Sequence, residues 1–147
     1  MKKSILTLVI TAFVGVASIF AQSNSTSKGD AIIGVWTNPA KDAKFEIYKK
    51  NNEYFGKIIW GTGGDNKDSK NPDPKLQSRD LVGLTILNNF TFSGNNTWED
   101  GSIYDPKNGK TYSCKLTLAS TNKLDVRGYL GISLFGRTET WTKVINN

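Results

Sequence analysis

The 147-residue chain contains no histidine and one cysteine, Cys114. Without an imidazole there is no Ser-His-Asp triad, no Cys-His pair, no His-ligated zinc and no histidine general base. A lone cysteine excludes an intramolecular disulfide, a CxxC redox pair and a thiolate zinc cage. Long hydrophobic runs are also missing. The longest uncharged apolar stretch, residues 5–20, is sixteen residues diluted by Thr7, Thr11, Gly15 and Ser18, short of the ~20 that cross a bilayer. Clustered charge is absent too. The 19 Lys+Arg exceed the 13 Asp+Glu, but the excess is spread along the chain and leaves no footprint for nucleic acid.

What is present begins with Lys2 and Lys3 ahead of that apolar stretch, and a small residue, Ala21, after it. This order reads as a signal peptide over residues 1–21, cleaved near Ala21, with the product exported to the periplasm or the extracellular space. No stable membrane span is expected after cleavage. Residues 22–30 (Gln-Ser-Asn-Ser-Thr-Ser-Lys-Gly-Asp) are polar and small, and are expected to form a flexible linker. Residues 31–147 are then a single domain, whose Cys114 is expected to be buried.

From Ala31 onward, short apolar or alternating runs are punctuated by Gly, Asn, Asp and Pro every 8–12 residues or so, the pattern of an all-β chain. In residues 110–118, Tyr112, Cys114, Leu116 and Leu118 alternate strictly with polar neighbours, so one face is buried and one is wet. The partner strand is 98–104, reached through Asp105-Pro106-Lys107-Asn108-Gly109, where Gly109 supplies a positive φ. A second hairpin joins 44–50 to 54–60 through Asn51-Asn52-Glu53, and a third joins 124–129 to 137–144. Segments 31–37 and 84–92 complete about eight antiparallel strands. The one helical feature expected is a turn at 74–78, capped by Asp73 with Pro74 at its first position. Such a set closes most simply into a barrel, because closure removes exposed edges.

The chemistry-bearing residues are few. On the last strand Arg137, Glu139, Trp141 and Lys143 share a face, and alternation by itself leaves open whether that face is interior or solvated. If it is interior, the charges need mutual pairing or an anionic ligand. Residues 61–80 form the longest irregular stretch. Asp65, Asp68, Asn71 and Asp73 are oxygen ligands of the kind calcium takes, but the EF-hand spacing is missing and Lys67, Lys70 and Lys75 neutralise the cluster. A lid over the barrel mouth, partly held by Arg79, is the expected role. Asp105 is expected to cap its turn, with Tyr104 and Tyr112 as a cross-strand pair rather than an acid–base site.

Several ordered motifs add a resemblance. Gly34-Val35-Trp36 resembles the Gly-x-Trp opening of lipocalin-type barrels. Asn71-Pro72-Asp73-Pro74 with Leu76 and Arg79, Leu81-x-Gly83-Leu84, Trp98-x-x-Gly101-x-Ile103-Tyr104-Asp105-Pro106, Leu124-x-Val126-Arg127-Gly128-Tyr129 and Thr140-Trp141-x-Lys143-Val144 follow in order. Together they resemble the bacterial secreted family known as domain of unknown function 2147. The resemblance implies an exported protein with a lipocalin-like (calycin-type) eight-stranded barrel. Many members have cysteines where this chain has Tyr129 and Phe135, so any disulfide they form has no counterpart here. By the same resemblance Trp36 would plug the closed end, with Arg127 or Arg137 lying across it as a cation–π partner.

The function expected from these readings is a non-catalytic barrel that binds a small apolar or amphipathic molecule. The alternative is a solidly packed barrel serving as a structural or interaction protein of the cell envelope. Trp36, Trp60, Tyr112, Arg127, Arg137, Glu139 and Trp141 are the candidate ligand-binding or barrel-closing residues. No catalytic residue, cofactor, metal or nucleic-acid partner is expected.

Overall fold

Two asparagine pairs set the architecture. Asn51-Asn52 and Asn95-Asn96 all have positive φ, between 49° and 64°. Two consecutive left-handed residues make the two-residue turn whose twist matches that of paired strands, and asparagine tolerates it. They connect β2 (Ala43–Lys50) to β3 (Glu53–Gly61) and β4 (Thr85–Gly94) to β5 (Thr97–Asp105). With β1 (Gly34–Thr37), β6 (Lys110–Ser120), β7 (Lys123–Tyr129) and β8 (Gly136–Lys143), these form an antiparallel meander. Strand β8 returns to pair with β1, closing an eight-stranded barrel. The computed structural model describes residues 27–64, 66–132 and 134–145; residues 1–21, expected to be a signal peptide, residues 22–26 and Asp65 lie outside them.

Alternation along the strands sends apolar side chains inward and charges outward. Glu46 pairs with Lys57 at 2.7 Å and Glu99 with Lys115 at 3.3 Å between neighbouring strands. A charged exterior around an apolar interior is the reverse of a lipid-facing barrel. Among the described residues no helix is long and apolar enough to cross a membrane.

The two ends of the barrel differ. At one end the three hairpins are tight, and Trp36, Trp98, Phe90, Ile47, Leu87, Leu116 and Leu124 are fully buried. Here the end of the linker expected at 22–30, residues 28–30, needs correction. Lys28–Ile32 is a 3-10 turn that covers the barrel, with Gly29 and Ile32 buried. Trp98 Nε1 donates to Gly29 O at 3.1 Å and Trp36 Nε1 to Ile32 O at 2.8 Å. Asp30 accepts from Tyr54 Oη at 2.7 Å and from Lys49 Nζ at 2.9 Å. The polar composition of residues 28–30 concealed their part in this plug, because they anchor through the Gly29 carbonyl and the Asp30 carboxylate, and the apolar anchor, Ile32, follows them. Gly29 is required by space: a Cβ there would lie 2.5 Å from the Tyr54 hydroxyl.

At the other end the connections are longer: residues 38–42, 62–84, 106–109 and 130–135. The loop 62–84 folds as a hairpin on itself, with Asp68 N donating to Arg79 O at 3.0 Å and Leu81 N to Asn66 O at 2.7 Å. Asp73 caps the 3-10 turn Pro74–Leu76 by accepting from Lys75 N, as its sequence predicts.

Candidate functional site

The end of the barrel that carries the long loops is hollow. A cavity of about 960 Å³ opens among the long loops. Its wall is built by inward positions of six strands: Phe45, Ile58, Ile86, Ile103, Val126 and Trp141. Trp141 lies nearly parallel to Phe45, ring centroids 4.1 Å apart, which puts an aromatic pair in that wall. Nearer the loops Tyr112, Arg137 and Glu139 face the same space, and Lys67, Lys70 and Lys107 stand at its edge. Pockets of roughly 300–1,000 Å³ with apolar walls and a few polar groups hold small molecules. An eight-stranded barrel has room for one.

The face of β8 that alternation left open is therefore interior for Trp141 and Glu139. Trp141 is 2 % exposed, and its Nε1 lies 3.5 Å from Glu139 Oε2. Arg137 Nη2 is 3.6 Å from Glu139 Oε1, but the Arg137 side chain is 87 % exposed at the rim. No charge is sealed in the core by this arrangement, so the desolvation cost of a buried pair does not arise.

Three of the sequence-predicted residues lie away from the cavity. Trp60 would face inward if Tyr54, Gly56 and Ile58 were continued by strict alternation. A register shift between Lys44 and Phe45 pairs Phe45 with Ile58 and Lys44 with Trp60, so the indole emerges outside beneath Lys44 Nζ, 5.3 Å from the ring centroid. An extra residue in a strand reverses the facing of everything beyond it. Arg127 is also outside, between the inward Val126 and Gly128. Its Nη1 donates to Thr138 Oγ1 at 2.8 Å and its Nη2 to Leu134 O at 3.2 Å, tying the β7–β8 loop to the wall. Trp36 sits in the closed end, away from the cavity. The cation across it is Lys143, 5.3 Å from the ring centroid, not Arg127 or Arg137. Lys143 belongs there because β1 pairs Trp36 directly with it.

The loop 62–84 walls one side of the mouth, and a polar knot holds it. Asp68, fully buried, accepts from Tyr104 Oη at 2.5 Å, Asn71 Nδ2 at 2.7 Å and Arg79 Nε at 2.8 Å. Burial pushes the Asp68 carboxyl upward, but these three donors outweigh it and leave the group below the usual carboxylate range. Tyr104 is raised by burial and by the carboxylate it serves. The expected Tyr104–Tyr112 pair is not formed. Register opposes Tyr104 to Thr111 and Tyr112 to Ile103, so Tyr104 serves the loop while Tyr112 faces the cavity. With its oxygens engaged, Asp68 is a strut.

Sequence reasoning overlooked the wall residues Phe45, Ile58, Ile86, Ile103 and Val126, although their alternation was visible. It also passed over Leu130, Leu134 and Phe135, which edge the mouth from the β7–β8 loop. The available signal was four large apolar residues, including Ile132, in one short connector.

A family model described as "Uncharacterized protein conserved in bacteria", domain of unknown function 2147, matches residues 34–143. The chain belongs to this family. Among solved structures, this member of the domain of unknown function 2147 family is similar in fold to protein HP1028 from the human pathogen Helicobacter pylori, described as belonging to the lipocalin family. The TM-score is 0.70 at 23 % identity, over 78 % of this chain and 83 % of that one. No curated protein matches the family member described here.

Proposed function

We propose that this protein is an exported, non-catalytic carrier holding one small apolar or amphipathic molecule in the open half of its barrel. The observation that carries the reading is the coexistence of a packed half and a hollow half. Fully buried side chains fill the end under the Lys28–Ile32 plug, whereas about 960 Å³ above Phe45 and Trp141 is empty of protein. A barrel packed solid throughout would leave no such space, which favours the carrier over the structural reading. Apolar walls suit a hydrocarbon body, and rim charges suit a polar head.

Support for a non-catalytic role comes from the two carboxyls that, among the described residues, are shifted from their ordinary range. Asp30 and Asp68 are both lowered, both engaged in structural hydrogen bonds, and neither lines the cavity. A general acid needs a raised carboxyl facing its substrate. Export rests on Lys2, Lys3 and the apolar stretch before Ala21, and N-terminal sequencing of protein recovered from the periplasm or medium tests it.

Titration with palmitate and with farnesol, followed by tryptophan fluorescence, tests the carrier reading. A saturable change of one molecule per chain, abolished by filling the cavity with Ile103→Phe and Val126→Phe, is expected. No saturable change with either probe, together with no small molecule released from protein purified gently from its host, overturns it.

A further inference from the structure

The β7–β8 loop breaks the rule that keeps apolar side chains of a small domain from clustering in water. Leu130 is 66 % exposed, Ile132 60 %, Leu134 75 % and Phe135 74 %, all within one connector. Solvated loops are ordinarily polar, and a contiguous exposed apolar patch marks an interaction surface. The loop is not loose chain. Phe135 N donates to Ile132 O at 3.2 Å, making a turn, and Arg127 holds Leu134 O from the barrel wall. The apolar side chains are thus presented on a braced tip at the open end.

Charge beside the tip indicates what it meets. A second hollow, about 720 Å³, runs between residues 38–41 and β8. Lys41, Lys107 and Arg137 line it, with Lys123 at the end of β7 remote from the tip, and Glu139 is the one carboxylate among its described lining residues. Apolar side chains flanked by cations are complementary to a bilayer with anionic headgroups, where the first enter the acyl boundary and the second meet phosphates. A second copy of the chain is a poorer match. Four side chains on one short turn fall below the ~800 Å² per partner of a stable protein interface, and a like-charged slot would face its own copy.

We propose that the β7–β8 loop docks the open end of the barrel onto an anionic membrane surface. Leu130, Leu134 and Phe135 also edge the cavity, so docking brings the mouth against lipid. The proposal concerns an outer surface and stands whether or not the cavity carries a ligand.

The test is flotation of the whole exported chain with vesicles of phosphatidylglycerol and phosphatidylethanolamine, and separately of phosphatidylcholine alone. Wild type is expected to float with the anionic vesicles and about tenfold less with phosphatidylcholine. The triple variant Ile132→Ser, Leu134→Ser, Phe135→Ser is expected to lose flotation by at least about tenfold. Lys107→Gln with Arg137→Gln is expected to weaken the preference for anionic lipid. These positions are exposed, and unchanged thermal unfolding will show that the variants remain folded. Failure of wild type to float with anionic vesicles overturns the proposal. So does a triple variant that floats like wild type, or a wild-type dimer that the triple variant dissociates. Palmitate titration of the same preparations, read separately, tells loss of docking from loss of cavity binding.

Discussion

Trp141 lies on Phe45 with ring planes 9° apart, at the boundary between the filled and hollow halves of the barrel. Both residues belong to the buried core and both line the cavity. Trp141→Ala is expected to lower stability by about 3 kcal/mol, the low end for truncating a buried aromatic, because part of its surroundings is already void. Trp141→Phe should cost under about 1.5 kcal/mol, since stacking survives. Urea denaturation of the two variants against wild type measures both.

Gly109 has a φ of +70°, and a Cβ placed on it would sit 1.9 Å from Lys70 O. Gly109→Ala therefore strains its own backbone and pushes the 62–84 loop off the β5–β6 hairpin. A loss of more than about 1 kcal/mol is expected. Limited proteolysis should cut that loop faster than in wild type, and equal cutting rates would refute the contact.

Asp30 and Asp68 give the fold a defined acid sensitivity. The Tyr54 hydroxyl and Lys49 hold Asp30 well below the usual carboxylate range. For Asp68, burial acts upward, but Tyr104, Asn71 and Arg79 bring the net shift down. A carboxyl depressed by folding contributes stability that is complete above its unfolded pKa, about 4, and is lost as pH falls through the lower folded value. Denaturation midpoints should accordingly hold steady from pH 7 to about 5 and fall below about 4. Asp30→Asn should flatten that fall. Asp68→Ala should cost about 2–3 kcal/mol at neutral pH, because it strips three donors of their acceptor.

Cys114 is 1 % exposed, and burial pushes its thiol up to about 12. Its thiolate population at pH 8 is then lower by on the order of a thousandfold than that of a free thiol. Iodoacetamide should leave the native protein unlabelled over hours and label it in minutes in guanidinium. Rapid native labelling would show that the β6–β7 wall opens.

The fold was legible because its determinants are local. Alternation in residues 110–118, the Asn51-Asn52 turn and the Asp105–Gly109 connector each set a strand or a hairpin through neighbours in the chain. The site was legible only in part. Trp141 and Glu139 belonged to a correctly grouped face, but Trp60 was lost to a bulge that no composition reveals, and Arg127 alternates to the outside. The Lys28–Ile32 plug escaped notice because Gly29 and Asp30 make contacts only once β3 and β5 stand beside them.

By itself, then, the sequence determined which residues become strands, how they connect, and which chemistries are closed to a chain with no histidine and one cysteine. These properties depend on backbone preferences, period-two alternation and an inventory of side chains. Only the tertiary structure decided which face of β8 turns inward, which cation covers Trp36, and that one half of the barrel is filled while the other is hollow. Those outcomes follow from register between strands far apart in the chain and from the volume left when side chains of unlike size meet, and no local pattern carries either.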